Sequence, residues 1–340
     1  MNPIENIPAD DKAMPGISKR GWNHTPDQAI ALTPLFDWPP PSKKIVQWVS
    51  GIWLAVSARS AILAVSIFTW FFLQPDFTRV ATFQFDWIAE MYLRNLALMT
   101  IVAGGLHLWL YRYKKQGKDQ QFDTRDLSRI SGRFSFGKQV YDNMFWTLAS
   151  GVTIWTSFEV VTLWGYANGY VPYLAFSDNP VWFVLLFLLQ PLWGAFHFYW
   201  IHRALHWPPL YRLAHSLHHR NINIGPWSGM SMHPIEHVMY LSGGLIHWII
   251  ATHPVHFLFN MQVKALEAAT SHAGHQQLVI GKGTKIDLGD FFHQLHHRYF
   301  ECNYGTLEMP LDRWFGTFHN GSEADSRKIK LRKQRMHKET

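Results

Sequence analysis

The sequence predicts an all-α, multi-pass membrane protein, with about four transmembrane helices carrying a cytosolic, histidine-rich helical cap. Three observations predict it. Long apolar runs recur through residues 43–200, broken by charge, Pro and Gly rather than by strand-length turn signals. Basic residues gather beside those runs instead of spreading over a surface. Histidines then bunch at helical spacings beyond the last clean run.

Composition supports the same class. The 340 residues include 17 Trp and 24 Phe, an aromatic load that suits membrane–water interfaces. Apolar residues make up 48%, while polar tails and the histidine-rich part hold the mean hydropathy slightly below zero. A net charge of +7, clustered beside apolar spans, points to an anionic membrane surface and away from nucleic acid. Cys302 is the single cysteine, which excludes a disulfide framework and a thiolate metal cluster. The opening MNPIENIPADDKAMPG has no charged segment followed by an apolar core, so no cleaved signal peptide is predicted.

In chain order, residues 1–42 read as a polar tail ending in Asp37-Trp38-Pro39-Pro40-Pro41. Lys43 and Lys44 precede an apolar run from Ile45 to Leu73, the first span; Arg59 inside it needs a partner. Trp87 to Tyr111 is the second span, with Arg94 early and His107 near its end, the latter read as interfacial. A basic loop over 112–140 follows, holding Arg112, Lys114, Lys115, Lys118, Arg125, Arg129, Arg133 and Lys138. The excess of positive charge places this loop, with Lys43 and Lys44, on the cytoplasmic side. Met144 to Ala167 is the third span, with Glu159 as an intramembrane polar contact. Val181 to Trp200 is the fourth, with a kink expected at Pro191. It returns the chain to the cytoplasmic side.

The region 201–320 then reads as a cytosolic di-metal catalytic region. His202 and His206 are spaced i, i+4; His215, His218 and His219 form H-x-x-H-H; His293, His296 and His297 repeat it. Spacings of three and four bring side chains onto one helix face, a turn apart. Three such turns facing each other close a cage of imidazoles, and neutral imidazole suits iron, zinc and copper. Burying so many rings is costly unless something coordinates them, and the ligand number exceeds one tetrahedral zinc, so two ions are predicted. Within this region Trp207-Pro208-Pro209 ends one helix and starts the next, which is expected to carry His215, His218 and His219. Residues 238–262 read as a broken, re-entrant apolar hairpin, interrupted by Gly243-Gly244 and His253-Pro254. Its His247, His253 and His256 are read as interfacial. Met261 to Ser271 is a helix leading to His272, Gly281 to Gly289 a loop, and Phe291 to Tyr299 a helix. Residues 321–340 form a basic tail, read as solvated and disordered.

The ordered set His202-Arg203-Ala204-Leu205-His206, His215 to His219, His233-Pro234-Ile235-Glu236, His272 and His293 to His297 resembles the fatty acid hydroxylase/sterol desaturase superfamily. Asn303-Tyr304-Gly305 and Asp312-Arg313-Trp314-Phe315-Gly316-Thr317 continue the likeness, which covers roughly residues 180–320. The resemblance implies a membrane oxygenase with a cytosolic, histidine-bound pair of iron ions. Such an enzyme uses O2 and external electrons to hydroxylate or desaturate a lipid C–H bond. It implies His202, His206, His215, His218, His219, His272, His293, His296 and His297 as ligands, with His275 and His233 as further candidates. Glu236 and Glu267 are candidates for orienting ligand imidazoles from outside the cage. His197 and His237 are additions to the family's pattern.

Chemistry independent of the family agrees. Breaking an unactivated C–H bond needs a redox metal, which zinc is not. No flavin, nicotinamide or haem-attachment motif is present, so electrons are expected from a separate cytochrome b5, ferredoxin or reductase. A substrate buried in lipid has to slide along the bilayer to a site at its cytoplasmic edge, in a bacterial inner membrane or the endoplasmic reticulum. Two competing readings carry different signatures. A histidine-rich metal-binding or metal-transport protein would place its ligands within the spans. A multi-haem cytochrome would place axial histidine pairs deep in facing spans.

Overall fold

The computed structural model describes residues 23–336 apart from 26–29, 31, 54–56, 124, 129, 130, 282 and 289. Much of the expected N-terminal tail and the last four residues lie outside the described residues. The apolar run 45–73 is not one helix. It folds as α1 (Ser42–Trp53) and α2 (Ala58–Phe72). The reason is local: the Ser57 hydroxyl accepts the Ser60 amide at 3.1 Å while the Ser60 hydroxyl accepts the Ser57 amide at 2.9 Å. That reciprocal cap starts a new helix where a continuous span was expected. Arg59 therefore sits in the first turn of α2, where its guanidinium reaches Glu267 and Glu308, each at 2.9 Å.

Among the described residues two helices are long and apolar enough to cross a bilayer by length and composition: α3 (Phe85–Arg112) and, later in the chain, Pro180–Leu205. Residues 139–167 form one continuous helix, α4, between them. Pro180–Leu205, labelled α5, starts on Asn179, whose side chain accepts the Trp182 amide at 2.9 Å, with Pro180 in the first turn. The two charges that the sequence sets inside spans meet. Arg94 of α3 pairs with Glu159 of α4, and both are buried. Asn95 Nδ2 and Trp155 Nε1 each donate to the same carboxylate at 2.8 Å, and Gln74 Oε1 accepts from Arg94 at 3.0 Å.

The cap is built from short pieces. Helix α6 (208–215) begins on Pro208-Pro209, and a 3₁₀ turn, His218–Arg220, follows it. The single helix expected for His215, His218 and His219 is thus broken at Ser216-Leu217. Helix α7 (Pro234–Leu241) tightens into 3₁₀ geometry over Ser242–Trp248, and α8 (254–271) restarts at Pro254. The geometry thus changes at the two places, Gly243-Gly244 and His253-Pro254, where the sequence predicts interruptions. Gln262 pins α8 to α2, accepting from Ser66 at 2.8 Å and donating to Thr69 at 3.1 Å. Met99, Val152, Trp155, Phe257, Phe259 and Leu266 form the main core where α3, α4 and α8 meet.

Two expectations are corrected. The fold is not purely helical: β1 (Gln277–Ile280) pairs antiparallel with β2 (Thr284–Asp287), Gln277 opposite Asp287. β2 lies within the segment Gly281 to Gly289 read as a loop, and β1 just before it. Val279, Ile280 and Ile286 favour extended backbone, and Gly281 at φ +60° supplies the turn. The C-terminal tail, read as disordered, forms α10 (Glu323–Met336), after α9 (Phe291–Tyr299). Acidic Glu323 and Asp325 open α10 and basic residues fill its later turns, matching the helix dipole.

Candidate metal centre

Among the described residues nine histidines converge from four places in the chain: the end of α5, α6 with its following turn, the end of α8, and α9. They form two sets, His202, His206, His215, His219 and His296 in one, His218, His272, His293 and His297 in the other. Within each set, one ring nitrogen per residue lies within 4.8 Å of all the rest. The H-x-x-H-H motif explains the division. His215 and His219, one turn apart, face one set, and His218 faces the other. His293 and His297 face the second set, and His296 faces the first. Each adjacent His-His pair therefore straddles the two sets, with ring centroids 5.8 Å apart in both cases. Tandem histidines force the sets to be neighbours.

Backbone carbonyls and one carboxylate orient the rings. His202 Nδ1 donates to Tyr304 O at 2.7 Å, His296 Nδ1 to Cys302 O at 2.6 Å, and His272 Nδ1 to Ala268 O at 2.9 Å. His215 Nδ1 pairs with Glu236 Oε1 at 2.7 Å. Each such bond fixes the tautomer and turns the Nε2 lone pair inward. The loop behind α9 exists to hold two of these acceptors. Phe300 and Asn303 take positive φ, 71° and 54°, bending the chain back. Asn303 clamps that bend through Phe292 O at 3.0 Å and His319 O at 3.1 Å. Asp312 accepts the Tyr304 and Gly305 amides at 2.9 and 2.7 Å. The N-Y-G and D-R motifs thus position carbonyls, not ligands.

Inward-facing nitrogens come close. In the first set His206 Nε2 lies 3.2 Å from both His215 Nε2 and His219 Nε2, and His219 Nε2 lies 3.0 Å from His296 Nε2. In the second, His272, His293 and His297 have mutual Nε2 separations of 3.1 Å. With the proton on Nδ1 of both rings, two Nε2 atoms at this distance present converging lone pairs that a shared cation would satisfy. An ion about 2.1 Å from each nitrogen, with angles of about 90–105°, spaces them by about 3.0–3.3 Å. The residues present fit a metal ion in each set. Burial pushes His215 down to about 3 and His218 to about 4, and holds His219, His272, His293, His296 and His297 well below the ordinary histidine range. The rings are therefore neutral at physiological pH, the form that binds metal. Burial also raises Glu236 to about 7.

Other candidates stand elsewhere. His233 caps α7, its Nδ1 accepting the Ile235 amide at 3.3 Å, and belongs to neither set. His275 lies outside both sets too, against the Tyr111 ring with centroids 5.4 Å apart. Glu267 does not orient an imidazole; it holds Arg59. His237 is held by Ser150 Oγ and Met230 O, each at 3.0 Å, and His107 stacks on Tyr111. Missed by sequence reasoning were Tyr304 O, Cys302 O and Ser231 O as ring acceptors, since a backbone carbonyl leaves no residue-type signal. Gly229 was missed as well. A Cβ there would stand 2.0 Å from Ala268 O, so only glycine lets the 226–231 loop reach the end of α8 beside His272.

A cavity of about 660 Å³ opens directly onto the rings of both sets, within the range of small-ligand sites. His202, His215, His218, His272 and His293 line one end. Phe198, Leu205, Met232 and Tyr240 wall it, and α1, α2, α5 and α8 enclose the remainder.

Residues 183–317 match the family model described as fatty acid hydroxylase. The chain is 27% identical over 168 residues to the Delta(7)-sterol-C5(6)-desaturase of Nicotiana tabacum, covering 48% of this chain and 60% of that protein. The Delta(7)-sterol 5(6)-desaturase of Leptosphaeria maculans is 31% identical over 139 residues, 39% of this chain and 37% of its own. That of Saccharomyces cerevisiae is 28% identical over 127 residues, 37% of this chain and 34% of its own. The chain thus spans about half, or less, of the length of the curated relatives it matches. No solved structure matches the chain.

Proposed function

We propose that the chain, whose residues 183–317 match the fatty acid hydroxylase model, is a membrane di-iron oxygenase of the fatty acid hydroxylase/sterol desaturase superfamily that hydroxylates or desaturates a lipid. The observation that carries the reading is the pair of abutting five- and four-histidine sets, open to one apolar-walled cavity. His202, His206, His215, His219 and His296 would hold one iron, and His218, His272, His293 and His297 the other. When bound, the irons supply the reduction of O2 with electrons from an external donor, a cytochrome b5, ferredoxin or reductase. An all-imidazole, redox-capable donor set suits iron, and nine nitrogens exceed what zinc asks for.

The chain's own residues do the rest. Glu236 keeps the proton of His215 on Nδ1, and Tyr304 O does the same for His202, so both rings present lone pairs inward. Phe198, Leu205 and Met232 keep water from the reacting carbon and give an apolar chain or ring system its seat. Helices α3 and α5, with α2 and α4, are the proposed spans, the cap 201–320 lies on the cytoplasmic face, and the lipid reaches the cavity from the bilayer. Sterols are the leading substrate class because the relatives named above act on them; fatty acyl lipids are the second. A metal-transport reading is disfavoured, since the ligands gather at helix ends rather than along a span.

The test is metal and product together. Protein purified in detergent and loaded anaerobically with iron should hold two irons per chain and show no haem absorbance. Lipid extracts from cells with the gene should contain a hydroxylated or desaturated lipid missing from cells without it. Haem in the purified protein, or identical lipids in both cells, would overturn the proposal. Replacement of Glu236 supplies a finer check. Glu236→Ala should weaken iron binding or turnover by about 10–100-fold, the usual cost of losing the partner of a ligand histidine. Glu236→Gln should cost less, because its amide oxygen still accepts the His215 Nδ1 proton; competition with a chelator measures both.

A further inference from the structure

Away from the histidines, the same cavity has a polar end that the proposed chemistry does not use. Lys264 of α8 lines it, buried to 7% exposure, with its Nζ 5.0 Å from the centre of the Tyr240 ring. Among the described residues no carboxylate lies within ion-pair distance of it. Asn260, one turn earlier on α8, and Gln190 of α5 also line the cavity, at 5% and 9% exposure. Asn260 Oδ1 and Gln190 Oε1 are buried without a partner. Gln190 has no freedom to turn, because its Nε2 donates to His256 O at 2.8 Å.

A third acceptor stands beside the ammonium. The Ser242 hydroxyl donates to Met239 O at 2.7 Å, so its oxygen accepts from His197 Nε2 at 3.0 Å. That assigns the proton to Nε2 and leaves His197 Nδ1 a buried, unpartnered lone pair. A Cβ on Gly243 would stand 2.9 Å from Lys264 Nζ and 3.0 Å from His197 Nδ1, so both atoms flank that glycine. One cationic donor, Lys264, and two unpaired acceptors, Asn260 Oδ1 and Gln190 Oε1, thus line the cavity, with the His197 lone pair behind its wall beside the ammonium. Buried polar atoms left unpaired cost about 1–3 kcal/mol each, so the set is poised for a ligand that completes it.

We propose that this part of the cavity binds the hydroxyl of a lipid alcohol, with Lys264 donating to the hydroxyl oxygen and Asn260 or Gln190 accepting its proton. The inference rests on the oxygenase reading and adds the polar group that orients the substrate. A carboxylate would satisfy Lys264 but turn its lone pairs on the two acceptors. An amine would satisfy the acceptors and be repelled by Lys264. A hydroxyl both accepts and donates, and it is neutral. The Phe198 ring lies 4.8 Å from that of His202 and 5.9 Å from that of Tyr240, over which Lys264 sits. The anchored hydroxyl and the reacting carbon therefore lie on opposite sides of the Phe198–Tyr240 pair. Lys264 is a positioning residue: it chooses which carbon meets the metal.

Binding measured without turnover tests this. Iron-loaded protein in lipid nanodiscs is titrated with cholesterol, with 5α-cholestane as a hydroxyl-free analogue of the same ring skeleton, and with oleyl alcohol and oleate. A hydrogen bond from a charged group corresponds to about 10–100-fold in affinity, so each alcohol should bind at least tenfold tighter than its partner probe. Lys264→Met should erase that preference with iron content unchanged, and Lys264→Gln, which keeps a donor, should restore part of it. Equal binding of cholesterol and cholestane, or tighter binding of oleate than of oleyl alcohol, would overturn the proposal, and either is read on the unaltered protein even if a variant fails to fold. A protein without iron that still prefers alcohols would sink the oxygenase reading and leave this one standing; a di-iron enzyme without the preference would do the reverse.

Discussion

His296→Ala is expected to lower turnover by more than about 100-fold, beyond the 10–100-fold that loss of an outer partner costs, and to remove iron from one set while the other keeps its ion. The asymmetry follows from where His296 sits. Its Nε2 approaches His219 at 3.0 Å and His206 at 3.3 Å, so it belongs to the five-histidine set alone. His297, the next residue, belongs to the four-histidine set, held by His272 and His293 at 3.1 Å. One substitution should therefore leave about one iron per chain, with membrane association intact because the cap lies outside the proposed spans. His297→Ala should show the same stoichiometry from the opposite set. Metal analysis with Mössbauer spectroscopy separates the two variants by their residual iron environments. Two irons retained with full activity in either variant would remove His-His division from the account.

That division was legible in the sequence only as spacing. The H-x-x-H-H pattern announces that three rings share a helical neighbourhood, and its two copies placed six of the nine converging residues; His202 and His206 came from the i, i+4 spacing and His272 from the family resemblance. Which ring joins which set depends on the break at Ser216-Leu217 and on the turn beyond Tyr299, and neither has a strong residue signal. His233 and His275 carried the right residue type and the right region. The first spends its side chain capping α7, and the second packs on Tyr111. Glu236 and Glu267 looked equivalent on paper, but only Glu236 has an imidazole within reach; Arg59, brought close by the cap at Ser57, takes Glu267. The apolar run 45–73 was misread for the same reason: a two-serine cap outweighs hydropathy in deciding where a helix begins. Where helix positions were read correctly, at α5 and α9, the signals were local, an apolar run uninterrupted by charge in the first and the close spacing of three histidines in the second.

The charged pair inside the helices carries the second large expectation, this one on stability. Glu159→Ala should destabilise the protein by about 3–5 kcal/mol, the cost of stripping one partner from a buried ion pair. Glu159 is fully buried, and its loss leaves the Arg94 guanidinium with neutral acceptors only, such as Gln74 Oε1, and takes the partner of the Trp155 indole N–H. Arg94→Met should cost a similar amount, because the carboxylate would keep only neutral donors. The double variant Arg94→Met, Glu159→Met should recover much of the loss, since two apolar side chains leave no charge to desolvate. Thermal unfolding in detergent reads all three. If the pair were instead a functional relay, the double variant would be stable but inactive; here it lies between α3 and α4, among Met91, Val160 and Leu163 rather than beside the cavity. The double variant is therefore expected to retain its iron and its turnover, which separates a device that fixes how two helices pack from one that serves the chemistry.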